Sequence, residues 1–308
     1  FISAADGQSV LHAVETADYL FPDVDGLGGY QQIGGMLEYH IQRILELPYV
    51  DVEAVRKADL CVAYDPVNSV GGIAVPALLG ALGVTRVFGV NQDPTGEFAH
   101  NPEPLPAHLA SLSQLVVQEK ADVGFAVDPD VDRLAVVCED GSMFGEEYTL
   151  VSVADYILQQ KRGNTVSNLS STSALRDVTI VRGGAYYPSA VGEVNVVARM
   201  REVNAVIGGE GNGGVILPDL HYGRDALVGI ALFLSQLAKE GRSVLALRQK
   251  YPSYYMSKNR IELTSGVSPD MVLENVKRIF AAERMNTEDG VRIDMRGGWV
   301  HLRKSNTE

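Results

Sequence analysis

VGFAVDPDVDR, residues 123–133, is an apolar run that ends in three aspartates within five residues, Asp128, Asp130 and Asp132. The apolar part has the length and composition of a buried strand. LAVVCED, which follows, reads as a second strand before a turn at Gly141. DPDVDR then occupies a tight loop at the carboxyl end of the first strand, the edge where open α/β sheets bind ligands. All three carboxyls are ionised at neutral pH from an ordinary pKa of about 4, and like charges this close repel. The aspartates alternate, so an extended segment carries them on one face. Oxygen donors in this number suit a hard cation, Mg2+ or Ca2+, rather than zinc. Arg133 follows directly, placed to neutralise the cluster or to hold an anion beside a metal.

Two other readings compete. A solvated acidic loop needs no ion. An EF-hand loop counted from Asp128 has its first three acids in place and Glu139 at its last position. Its sharp turn needs glycine where Arg133 stands, and LAVVC predicts a strand where an EF-hand has its exiting helix. A catalytic metal loop is the reading that the remaining motifs favour.

On both sides of this loop the pattern alternates between helix and strand. MLEYHIQRILEL (36–47) predicts an amphipathic helix with Leu37, Ile41, Ile44 and Leu45 on one face. LCVAYD (60–65) predicts a buried strand, PVNSVGG a loop, and AVPALLGALGV (74–84) a helix with Pro76 in its first turn. RVFGV is the next strand and HLASLSQLVVQEK the next helix. Beyond Gly141 the style repeats. YTLVSVADYILQQK is a helix, NTVSNL a strand that enters the loop SSTSA, and VGEVNVVARMREV a helix. AVIGGE is a strand that enters a glycine loop, and residues 225–240 form a strongly apolar helix. The shared order of strand, polar loop and helix suggests duplication of one unit. Ahead of all this, DGQSVLHAVETADYL reads as a short helix, and PDVDGLGGYQQIGG (22–35) has the composition of a linker. After YPSYYMSKN the style changes to a smaller α+β pattern. RIELT (260–264) reads as a strand, MVLENVKRIFAAE as a helix, and VRIDM and GWVHLRK as strands around a Gly297-Gly298 turn.

Three further runs carry chemistry. GGEGNGG (208–214) has five glycines in seven residues, which lets its backbone approach a ligand closely. Its only side chains, Glu210 and Asn212, make a clamp for vicinal hydroxyls, although a flexible turn would look the same. In HYGRDA (221–226), Asp225 is placed to cap the apolar helix, and Arg224 is an anion contact or a surface salt bridge. At the end of the chain Arg303, Ser305, Asn306 and Thr307 offer a guanidinium, two hydroxyls and an amide, a phosphate cradle or else a solvated turn.

Composition narrows the classes. The net charge of −13 comes with no Lys/Arg-rich run, which argues against nucleic acid as a partner. No run of about 18 apolar residues suggests a membrane span, and the start of the chain has no secretory pattern. Cys61 and Cys138 lie in apolar strand-like runs and read as buried reduced thiols, which fits the cytoplasm. The chain starts at Phe1 without methionine and stops at Glu308 after a loop-like run, so both ends read as cuts through a longer protein.

Taken in order, these motifs resemble the α-D-phosphohexomutase superfamily, and the resemblance spans essentially the whole chain. DPDVDR resembles its metal loop, usually DPDGDR. GGEGNGG resembles its sugar-binding loop, usually GExSG, and RKSNTE its phosphate-binding loop, R-x-S-[GN]-T-x-P. The runs DPVNSVGG, NPEPLP and VGEVNVV are similar as well. The resemblance implies an α/β fold of repeated three-layer α/β/α units with mixed sheets, followed by a smaller α+β domain. Residues 1–35 would then be the end of a serine-bearing domain with its linker and 36–141 a metal-binding domain. Residues 142–256 would be a sugar-binding domain and 257–308 the start of a phosphate-binding domain. Asp128, Asp130 and Asp132 would bind Mg2+, with Arg133 beside the chemistry. Glu210, Asn212 and Arg224 would contact the sugar phosphate, and Arg303, Ser305, Asn306 and Thr307 its phosphate.

The activity implied is interconversion of hexose or hexosamine 6- and 1-phosphates through a phosphoserine and a bisphosphate, in a cytoplasmic monomer or homodimer. Phosphoglucosamine mutase is favoured, with phosphomannomutase or phosphoglucomutase next, and a non-catalytic sugar-phosphate binder as a different class. Three departures stand out. Val131 replaces a glycine, which argues against positive φ there but leaves metal binding intact. Asn212 replaces a serine. The serine motif, like TASHNP, has no counterpart: the one HNP run, His100-Asn101-Pro102, follows Phe98-Ala99. The residues at hand are therefore expected not to turn over alone.

Overall fold

The computed structural model describes residue 2 and residues 4–264 and 266–304. Residues 1–39 and 40–308 form separate compact bodies. The first holds helix α1 (Ala4–Thr16) and a single helical turn at Val24–Gly26, which Asp23 caps by accepting the Gly26 N–H at 3.0 Å.

The second body is built on two sheets of the same design. Helix α2 (Met36–Leu45), which belongs to this body from His40 onward, carries Ile41 and Ile44 into the core, as its periodicity predicts, and α3 (Val52–Ala58) follows. Then come β1 (Cys61–Asp65), α4 (Gly71–Ala81), β2 (Arg86–Gly89), α5 (Ala110–Glu119), β3 (Val123–Val127) and β4 (Leu134–Cys138). The strand order is β2-β1-β3-β4, with β1 parallel to β2 and β3, and β4 antiparallel to β3. Strands β1, β3 and β4 are buried along their whole length, which is why their sequences are continuous apolar runs. Cys61 and Cys138 are free, buried thiols on these strands.

The second sheet follows with α6 (Glu146–Gln160), β5 (Asn164–Asn168), α7 (Ala174–Val181), β6 (Tyr186–Ser189), α8 (Glu193–Glu202), β7 (Ala205–Gly209) and β8 (Val215–Ile216). Its order, β6-β5-β7-β8, and its strand directions repeat those of the first sheet. The DPDVDR loop joins β3 to β4 and the GGEGNGG loop joins β7 to β8, so both occupy the same turn of a repeated unit. Helix α9 (Ala226–Glu240) packs between the two units and α10 (Val244–Arg248) follows it. Residues 226–237 of α9 are all buried, which accounts for a helix that is apolar on every side. Its Phe233 meets Phe125 of β3 and Phe144 edge-on, with ring centroids 6.0 and 5.3 Å away.

The remaining residues form α11 (Pro269–Ile279) and the antiparallel strands β9 (Arg284–Asn286), β10 (Val291–Met295) and β11 (Gly298–Leu302). This small sheet is tied to the second unit by polar contacts. Arg292 Nη1 donates to the Leu169 carbonyl at 2.5 Å, and Ser170 Oγ lies 2.7 Å from His301 Nδ1. No helix of the described residues is long and apolar enough to cross a membrane.

Two expectations fail here. Residues 260–264, RIELT, form no strand among the described residues, and Ile261 stays 74% exposed. Pro76 lies inside α4 rather than in its first turn. The preceding loop closes early, with Val67 and Asn68 at φ of +50° and +57°, and the Ser69 hydroxyl accepts the Gly71 N–H at 3.3 Å, so the helix starts at Gly71.

Candidate active site

Asp128 leaves β3 at the carboxyl edge of the first sheet. Its Oδ1 accepts the backbone N–H groups of Asp132 and Arg133, both at 3.0 Å, which folds the loop around the carboxylate. Asp128, Asp130 and Asp132 then bring one oxygen each within 4.8 Å of one another. Asp128 is buried, Asp132 half-buried and Asp130 exposed. Burial pushes the Asp128 carboxyl up to about 7; the Arg133 N–H opposes that rise, and the nearby Asp132 and Asp130 add to it. Asp132 Oδ1 is buried with no hydrogen-bond partner. Clustered hard oxygens, mutual repulsion and an orphaned carboxylate oxygen together fit a divalent cation such as Mg2+.

Val131 adopts the conformation its side chain argues against, with φ at +62°. Hydrogen bonds to Asp128 and Ala226 over-determine it. Its N–H donates to the Asp128 carbonyl at 3.1 Å, its carbonyl accepts the Ala226 N–H at 3.0 Å, and Asp128 takes the next two N–H groups. The side chain is only 9% exposed. Left-handed geometry costs an L-residue about 1–2 kcal/mol, against about 1.5–3 kcal/mol for burying a valine. Val131→Gly is therefore expected to lower stability by only about 1 kcal/mol, since strain relief offsets most of the lost burial. Urea unfolding checks this; a loss of several kcal/mol would mean that the turn carries little strain.

The EF-hand reading fails on the same geometry. The loop enters strand β4, and Glu139 Oε2 accepts the Leu245 N–H of α10 at 3.0 Å instead of closing on the aspartates.

The glycine loop lies beside the aspartate loop. Gly213 has φ at +85°, and its carbonyl accepts the Leu134 N–H of β4 at 3.3 Å. A Cβ there would stand 2.2 Å from the Leu134 carbonyl oxygen. Glu210 is buried, its Oε1 accepting from Asn168 Nδ2 at 2.8 Å and the Gly192 N–H at 3.2 Å. Asn212 accepts the Gly214 N–H at 3.2 Å and shapes the turn.

Arg224 joins the two loops. One terminal nitrogen pairs with Asp132, the other with Glu210 at 2.8 Å, and Nε lies 3.3 Å from Glu193. Of the two roles the sequence allows Arg224, a surface pair does not hold: its side chain is 14% exposed and faces three carboxylates. Arg133 Nη1 reaches Glu103 at 3.2 Å, and its Nε lies 3.5 Å from Asp128. Asp225 caps α9 as expected, accepting from the Leu227 and Val228 N–H groups.

Sequence reasoning missed Glu193 and Glu147. Glu193, at the start of α8, also accepts the Arg224 backbone N–H at 2.7 Å; its place in VGEVNVV after a glycine was the available signal. Glu147 lies directly under the glycine loop, where a Cβ on Gly211 would stand 2.2 Å from its carboxylate. Burial pushes the Glu147 carboxyl up to about 7, against the Thr172 N–H and Lys258. A raised carboxyl favours folding while protonated, so its contribution is full below about 4.5 and is lost as pH rises through about 7. Glu147→Gln is expected to remove that slope and to raise stability at pH 8 by up to about 3 kcal/mol. Urea midpoints at pH 5 and pH 8 check it; an equal slope in both proteins would contradict it.

Arg303 is exposed, and its Nη1 donates to the Lys304 carbonyl at 3.2 Å. Ser305, Asn306 and Thr307 lie outside the described residues.

Comparison with known proteins agrees with this architecture. Residues 38–141 match the family description "Phosphoglucomutase/phosphomannomutase, alpha/beta/alpha domain II", and residues 145–255 match domain III of the same family. The chain therefore belongs to the α-D-phosphohexomutase superfamily. A probable phosphoglucosamine mutase from Methanopyrus kandleri is 32% identical over 301 residues, covering 97% of this chain and 65% of the relative. A phosphoglucomutase/phosphomannomutase from Thermococcus kodakarensis is 35% identical over 263 residues, covering 84% of this chain and 57% of the relative. The crystal structure of a phosphoglucomutase/phosphomannomutase family protein from Burkholderia thailandensis superposes with a TM-score of 0.84 at 26% identity. It covers all of this chain and 64% of the solved one. The chain thus spans under two thirds of these relatives.

Proposed function

We propose that the protein is a phosphohexomutase that interconverts hexosamine or hexose 6- and 1-phosphates through a phosphoserine and a bisphosphate, with glucosamine phosphate the favoured substrate. The observation that carries this reading is Arg224, which binds Asp132 of one loop and Glu210 of the other and so makes a single site of them. In this reading residues 36–141 bear the metal loop, 142–256 the sugar loop and 257–308 the start of a phosphate-binding domain, with the nucleophilic serine outside residues 1–308. The names of the Methanopyrus and Thermococcus relatives support the activity, the first favouring the hexosamine.

Asp128, Asp130 and Asp132 would hold Mg2+, which neutralises charge on a transferring phosphoryl group. Arg133 lies beside that charge and holds the oxygens of the phosphoryl group in place. Glu210 accepts hydrogen bonds from sugar hydroxyls and Asn212 exchanges them, orienting either end of the sugar toward the same point. Arg303, Ser305, Asn306 and Thr307 hold the phosphate that does not react. Two free buried thiols suit a cytoplasmic setting.

The test is kcat/KM on glucosamine, mannose and glucose phosphates with the whole protein. Glucosamine phosphate is expected to lead. Binding of all three without conversion would overturn the enzyme reading in favour of a sugar-phosphate binder.

A further inference from the structure

We infer that His40, His221 and Asp225 form a second metal site, of the zinc class, distinct from the aspartate loop and independent of the mutase reading. His40 lies on α2, His221 in the loop before α9, and Asp225 at the cap of α9. Both imidazole Nε2 atoms face one carboxylate oxygen: His40 lies 2.8 Å and His221 3.1 Å from Asp225 Oδ2. The three ligand atoms are all within 4.8 Å of one another. Bond lengths of 2.0–2.2 Å put tetrahedral ligand atoms about 3.3 Å apart, so the Asp225 spacings need open by only a few tenths of an ångström.

The carboxylate is held in place by its capping bonds. Asp225 Oδ1 accepts the Leu227 and Val228 N–H groups at 2.8 and 3.1 Å, which fixes the plane in which Oδ2 is presented. Such outer hydrogen bonds orient metal ligands. The donor set differs in kind from that of the aspartate loop. Two imidazoles and a carboxylate suit Zn2+, Co2+ or Ni2+, whereas three carboxylates suit Mg2+. Metal binding needs only that each ring carry its proton on Nδ1, leaving Nε2 as the donor atom.

Room for further ligands is present. The three residues line a cleft of about 290 Å3 that also touches Asp130, Val131 and Arg224. The imidazoles are partly open to it, with side-chain exposures of 31% and 42%, while Asp225 is buried. A metal here joins α2 to the start of α9, one residue from the arginine that ties the two loops together.

The test is titration of the whole protein with Co2+ alone, read by visible absorption, with competition by Zn2+. Tightly bound Co2+ in a four- or five-coordinate site of mixed nitrogen and oxygen absorbs strongly, whereas Co2+ held by carboxylates and water in six-coordination absorbs weakly. One equivalent with strong bands that Zn2+ abolishes is expected. His221→Gln and His40→Gln are each expected to remove the bands and weaken Zn2+ at least a hundredfold, beyond the roughly 10–100-fold that outer-sphere changes cost. Both side chains are partly exposed, so circular dichroism is expected to show either variant folded. Asp130→Asn keeps the bands if the sites are distinct. Weak bands only, bands that survive both histidine substitutions, or bands lost with Asp130→Asn would each overturn the inference.

Discussion

Arg224→Met is expected to destabilise the protein by about 3–5 kcal/mol, the cost of stripping the partner from buried carboxylates. The wild-type guanidinium faces Asp132, Glu210 and Glu193, whose side chains are 17%, 7% and 12% exposed. Methionine fills much of the same volume, so the loss reports charge rather than a cavity. The three acids come from the aspartate loop, the glycine loop and the start of α8, so their repulsion opens the site from every side. Urea unfolding measures the effect. A loss below about 1 kcal/mol would mean that the three pairs behave as surface ion pairs and that the two loops are held together by other contacts.

Asp130→Asn is expected to do the opposite: little change in stability and a large loss of activity. Asp130 is exposed and shares its loop with two like charges, so neutralising it costs the fold nothing. A metal site that supplies several kcal/mol of charge stabilisation loses much of it when a ligand is weakened. Since about 2.7 kcal/mol is a hundredfold in rate, mutase turnover by the whole protein should fall at least that far. Arg133 and Arg224 remain in place, so substrate affinity should change less than turnover. Unimpaired turnover in a folded Asp130→Asn protein would remove Asp130 from the chemistry.

Much of this site was legible because its signals are local. Three aspartates in five residues and five glycines in seven declare their loops whatever surrounds them. The buried strands β1, β3 and β4 were equally plain as continuous apolar runs. What the sequence hid was either contextual or distant. Strand β6 contains Pro188, which breaks a strand pattern and is tolerated because β6 is an edge strand. Helix α7 ends in a β-branched run, Val178-Thr-Ile-Val181, that mimics a strand until packing decides. RIELT has strand periodicity, yet among the described residues it is not part of a sheet. Arg224 and Asp132 stand 92 residues apart, and no local pattern announces that one will neutralise the other. Val131 is the clearest case: its own side chain disfavours the conformation that its hydrogen bonds to Asp128 and Ala226 impose.

Asp128, Asp130 and Asp132 are proposed to hold one divalent cation at the edge of the first sheet. The most direct measurement is the thermal midpoint of the whole protein as Mg2+ is titrated, for the wild type, Asp130→Asn and Glu210→Gln. A ligand that binds only the folded state raises the midpoint as it saturates. A saturating rise is expected in the wild type and in Glu210→Gln, and none in Asp130→Asn. The same rise in Asp130→Asn, or no rise in the wild type, would contradict it.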